Sequence, residues 1–197
     1  MKATAIVSCL LLSMVFCAVA EKKPTKNPTL LSSDEIAIYR TVLQQYAGKS
    51  GPLNVSSETY PLDPNSEMNG LKRGDCLEGI ELANLSTTAH SYHILPAEVL
   101  DKNMRLVDPH KQATIVRQND PRNVITTPSS VDSAVKRAFD TALFSLSEIA
   151  FDKDHRHAVV AYSFWCGSLC GNGSTLVFEK VGNAWKKTKR TCGGWIS

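Results

Sequence analysis

The spacing of apolar residues changes partway along the chain. From residue 36 to 46 they recur every three or four positions, and Ile36, Tyr39, Val42, Leu43 and Tyr46 share one helical face. Ser32 and Glu35 stand just ahead at the capping-box spacing, in which hydroxyl and carboxylate satisfy free N–H groups of the first turn. Gly48, Gly51 and Pro52 end the run. The same period returns after Ser130, an N-cap residue. There Val131, Ala134, Val135, Ala138, Phe139, Ala142 and Leu143 trace an unbroken apolar stripe, and Asp132 suits the helix dipole. From residue 147 the period is two. Strands are predicted at 149–151, 157–165, 175–180 and 184–191, with turns at 152–155, 167–173 and 182–183. Connections this short predict a four-stranded antiparallel meander. Two main amphipathic helices should pack across its one buried face, giving an α+β fold.

The middle of the chain is less regular. Residues 53–60 read as a strand, 61–74 as a long loop, and 76–82 as a short strand or helical turn. Residues 96–104 read as a short helix opened by Pro96. The β-branched run at 113–117 reads as a strand, and 119–123 and 126–130 as turns. Asp63, Asn65 and Glu67 have the spacing of a calcium loop, but Met68 occupies the glycine position and Gly74 that of the bidentate glutamate. His90 and His93 have no acidic or cysteine ligand nearby in the chain, so they read as surface histidines of a loop rather than a metal pair.

The N-terminus gives an address. Lys2, the apolar run at 6–15 and the small residues Ala18 and Ala20 form a signal-peptide pattern with cleavage expected after Ala20. Phe16 stands where a small residue would precede a lipidated Cys17. The expected organisation is a signal peptide at 1–20, a flexible lead-in at 21–31 with Pro24 and Pro28, and one domain at 32–197. A secreted or periplasmic protein follows, with no transmembrane segment after signal removal. A net charge of +3 over 197 residues lacks the basic excess of a nucleic-acid binder. Cys76, Cys166, Cys170 and Cys192 remain after cleavage and are expected to form disulfides, with three connectivities open. Pairing the strands around the 182–183 turn brings Cys192 close to the 167–173 loop, which keeps a Cys170–Cys192 bridge among them.

Several stretches resemble a widespread group of uncharacterised exported bacterial proteins. They are Leu-Ser-Glu-Ile-Ala-Phe-Asp-Lys-Asp at 146–154, Ala-Val-Val-Ala-Tyr at 158–162, Cys-Gly-Ser-Leu-Cys-Gly at 166–171, Glu179 and Lys180, Trp185 and Lys186, and the final Trp-Ile-Ser. The likeness is specific over 146–197 and looser over 33–60, where it includes Tyr-Arg-Thr-Val-Leu-Gln-Gln-Tyr at 39–46. It implies export, bacterial origin and a mixed fold, and it carries over no catalytic residue. The group has the cysteine loop without an equivalent of Cys192. That implies a self-contained Cys166–Cys170 bridge and leaves Cys76 to pair with Cys192. Loop closure would then contribute about 2 kcal/mol for the short bridge and about 5 kcal/mol for the long one.

The chemistry-bearing residues are sparse. The spacing Cys-x-x-x-Cys in a glycine-rich loop differs from the Cys-x-x-Cys of redox enzymes, which sits at a helix N-terminus. Zinc knuckles, Gly-x-Ser-x-Gly, His-Glu-x-x-His and phosphate loops are absent from the sequence. His155 and His157 belong to a turn, as do Asp152 and Asp154. Lys186, Lys187, Lys189 and Arg190 read as the solvated part of an edge strand. The expectation is therefore a disulfide-stabilised binding domain with no catalytic residue, metal or cofactor. It would meet an envelope component or a small ligand through the 167–173 loop and the sheet face, at Trp165, Ser168, Leu169, Asn172 and Trp185. The contrasting expectation is a thiol- or metal-dependent enzyme built on the cysteine cluster; a third is a purely structural envelope component.

Overall fold

Helix α1 begins where its capping residues place it. In the computed structural model, which describes residues 25–26, 30–46, 52–63 and 75–197, Glu35 N–H donates to Ser32 Oγ at 3.2 Å and Ser32 N–H donates to Glu35 Oε2 at 2.7 Å. The helix spans Ser33–Tyr46 and buries Ile38, Tyr39, Val42 and Leu43. The signal-peptide residues 1–20, the expected stop at Gly48 and Gly51, and most of the 61–74 loop lie outside the described residues. Two residues of the lead-in, Thr25–Lys26 (β1), pair in parallel with Ser91–Tyr92 (β3).

The chain is mixed α/β, and the C-terminal part of its main sheet is antiparallel. Strands β2 (Leu53–Ser56), β4 (Met104–Val107), β5 (Leu143–Leu146), β6 (Ala150–Phe151), β7 (His157–Gly167), β8 (Cys170–Val181) and β9 (Ala184–Ile196) form it. Their order is β4-β2-β5-β7-β8-β9, with β6 also on β7. β2 is parallel to both β4 and β5, whereas β5, β6 and β8 pair antiparallel with β7, and β9 pairs antiparallel with β8. The parallel half was not expected, because its partners are distant in the chain and no short turn announces them.

Two local expectations are corrected. Residues 113–117 are not a strand but part of helix α3 (Pro109–Gln118). Its start is set by Asp108, whose carboxylate accepts from the N–H groups of His110 and Lys111, with Pro109 in the first turn. Residues 96–104 form a single 3-10 turn at Ala97–Val99, and Met104 already opens β4. Short helices α2 (Leu85–Thr88) and α4 (Pro121–Val124) precede α5 (Val131–Thr141), which leads straight into β5.

Both faces of the central strands are covered, not one. Ala158 and Val160 of β7 pack with Leu176, Phe178 and Trp185 against α1. Val159 and Ala161 point the other way and pack with Leu62, Val177, Cys76 and Cys192. The run Ala158 to Ala161 is apolar throughout for that reason. Cys76 and Cys192 are bridged inside this second layer. Among the described residues, no helix is long and apolar enough to cross a membrane.

Candidate functional site

The hairpin between β7 and β8 turns at Ser168 and Leu169, because Gly167 already pairs with Cys170. The expected turn at 167–173 is thus mostly strand. Its glycines have two separate reasons. Gly167 has φ of 135°, and a Cβ there would stand 2.9 Å from Asp120 Oδ1. Gly173 leaves room for the half-buried Trp195, whose indole nitrogen a Cβ would overlap.

Asp120 fixes the hairpin tip. Its Oδ2 accepts from Ser168 N–H at 2.8 Å and from Ser168 Oγ–H at 2.6 Å. Its Oδ1 accepts from Arg122 N–H at 3.0 Å, which caps α4. Burial pushes the Asp120 carboxyl upward, but the Ser168 hydroxyl and N–H and the Arg122 N–H together outweigh it and hold the group below its ordinary value. With Ser168 held back, Leu169 stands out at 70 % exposure.

Helix α5 supplies the opposite wall. Ala134 and Ala138 are its buried residues, and Ala138 packs with Ala142 against Cys166. The large residues of the stripe that lie on the helix are left outside: Val131, Val135 and Phe139 are 38, 39 and 50 % exposed. Small residues let the helix sit close to the hairpin, while Val135 and Phe139, one turn apart, border an open cleft. The cleft holds about 330 Å³. Val135, Phe139 and Pro121 form one side and Leu169, Gly171 and Asn172 the other, with Phe164 and the bridged Cys166 and Cys170 between them. The Phe139 and Phe164 rings lie 5.7 Å apart between centroids. The surroundings are apolar apart from the Asn172 amide and the Gly171 backbone, the composition of a site for an apolar group.

The structure brings Leu169 and Asn172 to the cleft, with Ser168 beside it as the anchor on Asp120. Trp165 lies between Phe164 and Cys166 on the strand and so points to the opposite face, where the Arg117 guanidinium stands 5.8 Å from its ring centre. Trp185 is at the far end of the β8–β9 pair. It is 6 % exposed and packs edge-on to Phe151. The walls from α5 and the Asp120 anchor were missed. The spacing of Val131, Val135 and Phe139 was visible, but a period alone does not tell which part of a stripe remains uncovered. Asp120 followed by Pro121 is the same N-cap signal as Asp108 with Pro109.

A second cluster is buried and occupied by its own partners. His93, expected at the surface, is 6 % exposed, and Glu148 is 3 % exposed. The Glu148 carboxylate faces His93 Nδ1 at 2.8 Å and accepts from His93 N–H at 3.0 Å and from the Thr59 hydroxyl. Glu148 N–H in turn donates to Tyr60 O at 2.7 Å. This arrangement clamps the 59–60 and 93 segments to the β5–β6 connection. Asp152 similarly binds the His157 ring and the N–H groups of Arg156 and His157, all at 2.8–3.0 Å. Among the described residues, no three His, Cys, Asp or Glu side chains are grouped to hold a metal ion. Cys166 is bridged to Cys170 and Cys76 to Cys192, the pairing the resemblance implies, so none of the four is a thiolate in this structure. No protein-family model matches the chain, and neither a curated protein nor a solved structure matches it.

Proposed function

We propose that the chain is an exported, disulfide-braced domain of bacterial origin that acts by binding, without a catalytic centre. Its binding site is the cleft between α5 and the β7–β8 hairpin, and its ligand is a small molecule presenting an apolar group. One observation carries this reading: a helix whose small residues are buried leaves Val135 and Phe139 open opposite Leu169, around a hollow of about 330 Å³. That volume is at the lower end of the range for small-molecule sites and suits a single aromatic or short acyl group. Export is supported by the signal-peptide pattern at 1–20, by the resemblance over 146–197, and by two bridged cysteine pairs. Trp165 and Trp185 lie outside the cleft, so the proposed contacts narrow to Leu169, Asn172, Val135 and Phe139.

The test is titration with the apolar fluorophore 1-anilinonaphthalene-8-sulfonate, comparing the oxidised protein with Phe139→Asp. Phe139 is half exposed, so the variant is expected to fold. Saturable binding should weaken at least tenfold in the variant, since a carboxylate in the wall disfavours an apolar ligand. Absence of saturable binding, or equal affinity in both proteins, would sink the reading.

A further inference from the structure

The two disulfides hold different things. Cys76–Cys192 joins residues 116 apart, and its ends are 9 and 4 % exposed within a buried layer. Cys166–Cys170 joins residues four apart and lines an open cleft. Cys166 is buried against Ala138 and Ala142, while Cys170 is half-buried toward the cleft. A long crosslink restrains the unfolded chain far more than a short one. The hairpin, moreover, is held without the short bridge. Its ladder runs from His157 opposite Glu179 to Trp165 opposite Gly171 and, past a bulge, to Gly167 opposite Cys170, and Asp120 grips Ser168 at the tip. The Cys166 sulfur lies 3.0 Å from Cys170 O, so a reduced Cys166 has an acceptor already in place for its S–H.

We infer that the Cys166–Cys170 bridge is a redox-addressable wall of the cleft, opened by an external dithiol, and that its state sets how tightly the cleft holds an apolar ligand. The inference rests on the binding reading above and adds its regulation. In the exchange, a thiolate of the dithiol attacks the Cys170 sulfur, the more accessible end. The Cys166–Cys170 bond breaks, and Cys166 leaves as a thiolate that takes up a proton. The second thiol of the reductant then attacks its own sulfur in the mixed disulfide and releases Cys170 as a thiol. Two electrons and two protons pass to the protein, and the dithiol leaves as a disulfide. Once the bridge is open, Ser168 stays on Asp120, but the wall that carries Leu169 and Cys170 is no longer tied to Cys166. Re-ordering that wall on binding should weaken affinity about fivefold or more.

The test uses the full exported chain. Graded dithiothreitol under native conditions, followed by alkylation and peptide mapping, reports which bridge opens. The fluorophore is titrated against the oxidised protein, the partly reduced protein and the double variant Cys166→Ser/Cys170→Ser, which removes the bridge without a reductant. Cys166–Cys170 should open at lower dithiothreitol than Cys76–Cys192, with far-ultraviolet circular dichroism unchanged. The dissociation constant should rise about fivefold in both open forms. Simultaneous opening of both bridges with loss of structure overturns the inference, as does equal affinity in the open and closed forms. Unchanged affinity after selective opening thus overturns the redox control while leaving the cleft reading standing. Failure of the oxidised protein to bind at all removes the cleft reading, and this inference with it.

Discussion

Glu148→Ala is the most informative single change in the fold. The carboxylate is 3 % exposed and is the partner of His93 Nδ1, His93 N–H and the Thr59 hydroxyl. Truncation does not orphan all three equally. His93 N–H also lies 2.8 Å from Thr59 Oγ1, and the Thr59 hydroxyl has His93 O at 3.4 Å as a weak alternative. The His93 ring nitrogen loses its close partner. One unsatisfied buried donor costs about 1–3 kcal/mol. Adding the space left by the lost side chain gives about 3–5 kcal/mol, the range for removing one member of a buried pair. Glu148→Gln should cost about 1–2 kcal/mol, because its carbonyl still accepts and its NH2 can donate to Nδ1 of the other histidine tautomer. Urea unfolding of the oxidised proteins measures both. In thermal melts the alanine variant should unfold about 6–20 °C lower, at about 2–4 °C per kcal/mol for a chain of this size. An alanine variant within about 1 kcal/mol of the parent, or a glutamine variant as unstable as alanine, would refute the clamp or the tautomer argument respectively.

Two further outcomes follow from other parts of the molecule. Gly173→Ala should destabilise the β8–β9 pair by about 1–3 kcal/mol through overlap with the Trp195 indole. It should also change tryptophan fluorescence, and an unperturbed spectrum with unchanged stability would count against that packing. Acid should loosen the β6–β7 turn: burial raises the Asp152 carboxyl, but hydrogen bonds from His157 N–H, the His157 ring and Arg156 N–H outweigh it and leave the group below its ordinary value. A depressed carboxylate gives stability that is full above its unfolded value, near 4, and is lost as pH falls through the lower folded value. Asp152→Asn should therefore lose less stability than the parent between pH 5 and pH 3, and equal losses would contradict the assignment.

Legibility in the sequence followed the range of the interactions. Local signals were readable: the Ser32–Glu35 box set the start of α1, and the period-two runs after residue 147 located β7, β8 and β9, although their ends extend further. At 113–117 a β-branched run outweighed the Asp108–Pro109 start signal, which should have taken precedence because it fixes backbone hydrogen bonds directly. Non-local features were not readable. Nothing near His93 in the chain points to Glu148, 55 residues away, and nothing near β2 points to its parallel partners. The cleft was half legible. Leu169 and Asn172 were chosen from a loop rich in small residues, whereas Phe139 was assigned to the core with the rest of its stripe.

The reason that stripe splits is geometric. A helix that covers a sheet buries most of its large apolar residues over the strands, as α1 does with Ile38, Tyr39, Val42 and Leu43. Helix α5 instead meets the sheet where β7 ends, and its C-terminal end is tied down by Asn54, whose amide donates to Asp140 O at 3.1 Å and Ala142 O at 2.8 Å. Beyond Phe164 and Cys166 no further strand residue of β7 lies under the helix, so only the small residues facing Cys166 are covered. Filling the remaining hollow would require a longer hairpin or a larger residue than glycine at 171. A longer tip would lose the Asp120 grip on Ser168, and a Cβ at Gly171 would come within 3.0 Å of Phe164 O and the Trp195 ring. The same contacts that make the hairpin short and tightly held therefore keep the cleft open. Its apolar walls are a consequence of the architecture that an exchange of one side chain, such as Phe139→Asp, can probe without disturbing the buried layers on either side of β7.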